Sequence, residues 1–130
     1  MPMDNNTLLM PFRRNLTVAP VVIPVGMTPV ATPVPSMTGK GVTTFLMKNP
    51  NPFYVWYAGW AGAAGDMPAD LRANGHYIAP GETYIGRTQM PTFIAAQADS
   101  EPNFPITDAQ GAWMFAGQRT RLVMIYGSGA

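Results

Sequence analysis

Phe53-Tyr54-Val55-Trp56-Tyr57-Ala58 decides the fold. Six residues of aromatic and β-branched type in a row make a strand, and the run is too short and too punctuated at both ends for a helix. Before it stands Asn49-Pro50-Asn51-Pro52, a tight turn by composition. After it comes the glycine-containing stretch 61–73, whose residues 68–73 have room for one helical turn. Alternation places Phe53, Val55 and Tyr57 on one face and Tyr54 and Trp56 on the other. Both faces are apolar, so both are expected to be covered.

Working outward, the same grammar repeats. Val42-Thr43-Thr44-Phe45-Leu46-Met47 is a second strand. His76-Tyr77-Ile78 and Thr83-Tyr84-Ile85 flank Ala79-Pro80-Gly81-Glu82, where Pro then Gly at the central positions specifies a type II turn. Residues 92–98 and 119–126 complete the set, and Gly127-Ser128-Gly129 reads as a flexible tail. No window of about 11 residues or more carries the helical period. Short strands separated by turn chemistry predict an all-β protein, an antiparallel jelly-roll-like β-sandwich over residues 41–130.

Residues 1–40 differ. Half of the chain's 14 prolines fall here, alternating with Val, Thr and Ala. Proline fixes φ and cannot donate to a ladder, which excludes a helix and disfavours an interior strand. The prediction is an extended Pro-rich N-terminal arm, with at most an edge strand near residues 16–23. Met1, Met3, Met10, Met27 and Met37 lie in it, and methionine is an adaptable filler of grooves. The arm is therefore expected to dock on another chain, with Phe12, Val21, Val22 and Met27 in apolar grooves and Arg13 and Arg14 meeting carboxylates. Arg13-Arg14 ahead of an apolar run resembles a twin-arginine signal, but the run is short and broken by Pro20 and Pro24.

Composition narrows the function. The 130 residues are 47% hydrophobic and only 12% charged. About 25% charged is usual, so the surface is poorly defended against association. A net charge of +1 without a basic cluster excludes a phosphate-neutralising footprint, so no nucleic acid is expected. No stretch is long enough to span a membrane as a helix. With no Cys and one His, there is no ligand set of known metal spacing, and no cofactor is expected. No strained Gly-x-Ser-x-Gly turn accompanies His76, which reads as structural. The seven carboxylates sit mostly beside Pro or Gly in turns. The chain is expected not to be an enzyme. For Trp56, Tyr57 and Trp60 three roles stay open: core, subunit interface, or sugar-stacking platform.

The stretch from Val42 to Gly129 resembles the cement or decoration proteins of tailed-phage capsids, small β-sandwich virion proteins. The features that carry this are Phe45-Leu46-Met47-Lys48-Asn49-Pro50 running into Tyr54-Val55-Trp56, the Ala79-Pro80-Gly81-Glu82 turn, Phe93-Ile94-Ala95-Ala96, and Leu122-Val123-Met124-Ile125-Tyr126-Gly127-Ser128-Gly129. The resemblance implies a jelly-roll-like sandwich that binds the major capsid protein and stabilises the shell. It places the chain on the virion surface, made in the host cytoplasm. Self-association as a dimer rather than a trimer is expected from the frequency of closed two-fold contacts. The alternative is a carbohydrate- or receptor-binding module of a phage particle.

Overall fold

Strand-forming runs and turn residues alternate along the chain, and the computed structural model follows them, describing residues 12–87, 91–102 and 107–128. The strands in order are β1 (Arg13–Arg14), β2 (Val21–Gly26), β3 (Thr32–Pro33), β4 (Thr44–Lys48) and β5 (Val55–Trp60). One helical turn, α1 (Leu71–Asn74), precedes β6 (His76–Ile78), β7 (Thr83–Arg87) and β8 (Phe93–Ala98). β9 (Met114–Phe115), β10 (Gln118–Arg119) and β11 (Arg121–Ser128) complete the set. The expected all-β sandwich is what the chain forms.

The strand order is β6-β5-β8-β2-β11-β4-β7, with β1 added to β11 and β3 to β8. Two layers arise because β2 changes partner. Its residues Val21 to Pro24 pair antiparallel with Arg121 to Met124 of β11. Val25 and Gly26 then pair with Ala96 and Gln97 of β8, and this pair is parallel. Pro24 lacks the N–H that a continuous ladder would use, so the switch falls beside it. Thr120 clasps the corner: the Val25 N–H donates to its carbonyl at 3.1 Å and its hydroxyl donates to the Val25 carbonyl at 2.7 Å.

This corrects the division at residue 40. Val21, Ile23 and Val25 are buried in the main core with Val18 and Met37, so β2 is an interior strand and the first forty residues are not a separate arm. Met1, Met3 and Met10 of the expected arm lie outside the described residues. The sandwich is also not wholly antiparallel, because β2 and β8 run together. Ser128 is no tail: it ends β11 and pairs with Arg13, while Gly129 lies outside the described residues.

The core between the layers is built from alternating residues of each strand. Ile23, Met47, Leu122, Met124 and Tyr126 come from one layer; Val55, Tyr57, Ile78, Ile94, Ala96 and Ala98 from the other. A smaller cluster lies outside the second layer, where Leu71 of α1 packs on Ala58 and Ala95, flanked by Trp56, Trp60 and Met67. Asp70 caps α1 by accepting from the Arg72 N–H at 2.9 Å.

Candidate functional site

Three surfaces follow from this construction. The first is the outer face of the layer β7-β4-β11-β2. Registers align Val22 with Val123 and Lys48, and Ile125 with Leu46 and Ile85. Alternation turns these residues away from the core. Val22 is 54% exposed and Ile85 39%, while Leu46, Val123 and Ile125 are half-buried. The result is an apolar stripe across four strands. Lys48, Arg87 and Arg121 stand around it on the same side, with no carboxylate among the residues these strands turn outward. At the far corner, β1 lies over the end of β11. A Cβ at Gly127 would collide with the Arg13 carbonyl and the Phe12 ring, so only glycine lets β1 approach this closely.

The second surface is the aromatic ladder on the outer face of the other layer. Tyr54 and Tyr77 stack with centroids 4.7 Å apart, and Trp56 lies 4.4 Å from Tyr77. The indole N–H of Trp56 donates to Asp99 Oδ1 at 2.8 Å, and that of Trp60 to the Ala63 carbonyl at 2.8 Å. Trp60 also stacks on Phe93. Both tryptophans are half-buried and engaged, so they brace the layer rather than offer open ring faces. Arg72 donates to the Asp99 carbonyl beside them.

The third is a cleft at the seam of the sandwich. β6 and β7 leave one turn and enter different layers. That turn is type II as expected: Gly81 has φ +72° and the Glu82 N–H donates to the Ala79 carbonyl at 3.0 Å. Close to the turn the seam is stitched by Asn49. Its amide nitrogen donates to the carbonyls of Phe53, Ile78 and Ala79 at 2.9, 3.2 and 3.0 Å, and its backbone N–H donates to that of Glu82 at 3.0 Å. Its side-chain oxygen accepts from Asn51, whose own amide reaches the Arg121 carbonyl at 2.8 Å. At the other end the layers part, leaving a cleft of about 290 Å³ near His76 and Arg87. Tyr57, Tyr84 and Tyr126 line it. Burial, then the neighbouring Tyr84 and the Glu82 charge, push the Tyr57 phenol above its ordinary value. Burial alone pushes Tyr126 up to about 12.

The residues expected to form an interface are thus dispersed. Val22 lies on the apolar stripe, whereas Val21 and Tyr57 turn into the core and are not free to meet a partner. Phe12 is half-buried against its own chain, and Arg13 and Arg14 are exposed within β1. Met27 is exposed at a separate hollow with Val30, Trp113 and Arg119, whose guanidinium is already paired with Asp108 at 2.5 Å. His76 is exposed, its ring leaning on Tyr57 at 5.4 Å. Leu46, Ile85, Val123 and Ile125 were not among the residues expected at an interface; only the pairing register shows which face of their strands stays uncovered. Among the described residues no cluster of three His, Asp or Glu could hold a metal, and no helix is long and apolar enough to cross a membrane. No family model matches the chain, and neither the curated proteins nor the solved structures contain a significant match to it.

Proposed function

We propose that this chain is a non-enzymatic structural protein of a virion, one that cements a tailed-phage shell by docking on the major capsid protein. The observation that carries the docking role is the apolar stripe of Val22, Leu46, Ile85, Val123 and Ile125 on a solvent-facing sheet. Contiguous apolar patches rimmed by polar groups mark protein interaction surfaces. The rim of Lys48, Arg87 and Arg121 asks for a partner with an apolar centre and carboxylates around it. A low overall charge suits a protein that spends its life docked. The choice of a capsid subunit as partner rests on the resemblance of Val42 to Gly129 to phage cement proteins.

The test is gradient sedimentation of the tagged chain from cells that make it. The chain is expected to migrate with a large icosahedral particle, and its unbound fraction as a dimer. The double variant Val22→Asp, Ile85→Lys is expected to stay at the top of the gradient while melting as the parent does. Absence of the parent from any particle, or undiminished attachment of the double variant, overturns the reading.

A further inference from the structure

β7 ends the strand order, and among the described strands only β4 pairs with it. β6 leaves the shared turn into the other layer and does not cover its far side. The other outermost strands are short: β6 has three residues, and β1 and β3 have two each. β7 has five, Thr83-Tyr84-Ile85-Gly86-Arg87, with no proline and no lysine. Shortness, proline and lysine are the usual means of blunting an edge, and this edge has none of them.

The phase of its ladder decides which backbone groups are open. The Asn49 N–H donates to the Glu82 carbonyl at 3.0 Å. In an antiparallel pair the hydrogen-bonded positions recur at every second residue, so Met47 with Tyr84 and Phe45 with Gly86 come next. The N–H and C=O groups of Thr83, Ile85 and Arg87 therefore point away from β4. Among the described residues no hydrogen bond takes them up. They form a row of open donors and acceptors, a template for another strand.

The charges at the two ends of β7 select that strand. Glu82 stands just before it and Arg87 closes it, and neither has an ion pair among the described residues. A second β7 laid antiparallel sets each Arg87 beside the partner's Glu82, whereas a parallel one sets like charge beside like. With Ile85 opposite its own copy, every open group from Thr83 to Arg87 is used, in about six backbone hydrogen bonds. The apolar row Ile125, Leu46, Ile85 then runs on into its twin across the two-fold axis. Tyr84 and Ile85, both exposed and on opposite faces of the strand, each gain cover. We propose that two copies of the chain join through their β7 edges, antiparallel about Ile85, into one continuous sheet.

The experiment is sedimentation velocity of the purified full chain from about 1 to 200 µM, with amide hydrogen exchange at both ends of that range. The chain is expected to pass from monomer to dimer. In the dimer, exchange is expected to slow at Thr83, Ile85 and Arg87, while Tyr84 and Gly86, bonded to β4, are slow throughout. Ile85→Pro removes an outward N–H and leaves the β4 ladder whole, so it should stay monomeric and keep the β-type circular dichroism. Arg87→Glu should weaken the dimer about tenfold, and adding Glu82→Arg should restore it. A monomer at the highest concentration overturns the proposal. So does a dimer in which the Thr83, Ile85 and Arg87 amides stay fast, or one that Ile85→Pro or Arg87→Glu leaves unchanged. Attachment to a shell is read separately in the particle gradient, so the loss of this dimer leaves the docking role standing.

Discussion

Asn49 is fully buried, yet it is among the most hydrogen-bonded side chains of the molecule. Removing it strands three carbonyls at once, two of them 29 and 30 residues away in sequence. Asn49→Ala should cost about 3–5 kcal/mol, well beyond an ordinary point change, as read by the denaturant midpoint. The Asn-Pro-Asn-Pro turn was legible in the sequence, but the burial of its first residue was not, because its partners are remote. The buried phenols set the alkaline limit. Tyr126 titrates at about 12 in the fold, against about 10 in the unfolded chain, and Tyr57 is shifted the same way. Below pH ~10 both states are neutral and the packing contribution is whole. Above it the unfolded chain ionises first, so stability should fall as pH rises from about 10 toward 12. Replacing both tyrosines by Phe should flatten that decline in pH-dependent unfolding curves.

Among the elements, β2 marks where the sequence misled. Proline argues against an interior strand, and Pro24 does lack a donor, but it sits where the strand stops pairing with β11 and turns to β8. A rule about ladders does not see a strand divided between two of them. The alternation of Val21, Ile23 and Val25 against Val22 and Pro24 was present to be read, and the density of proline outweighed it. The expected outcome of deleting residues 1–38 is therefore loss of the cooperative melt and of the β-type circular dichroism. Survival of a folded fragment would restore the arm. Elements that announce themselves locally fared better. β5, β8 and β11 fall within about two residues of their apolar runs, and the Pro80-Gly81 turn has the expected type. Each is specified by neighbours in sequence, where pattern and turn chemistry act.

At the level of the whole molecule, the docking surface was the least legible part. An aliphatic strand reads as core on both sides, and only the assembled layers show that Leu46, Val123 and Ile125 face outward. Because these side chains support no core, the Val22→Asp, Ile85→Lys variant should stay within about 0.5 kcal/mol of the parent in stability while losing attachment. Calorimetry beside the sedimentation assay separates the two effects. The strand order has a further consequence, in time rather than space. β11 pairs with β1, β2 and β4, so the latest of the described strands in the chain lies between early ones. Until β11 has emerged from the ribosome, β2 and β4 have nothing to separate them and their apolar edges stand open. Such distant closure belongs to the slow class, roughly milliseconds to seconds, and leaves a vulnerable interval after every round of translation. The chain can complete its sandwich only once β11 has emerged, and a cell that makes many copies at once must keep the unfinished ones apart.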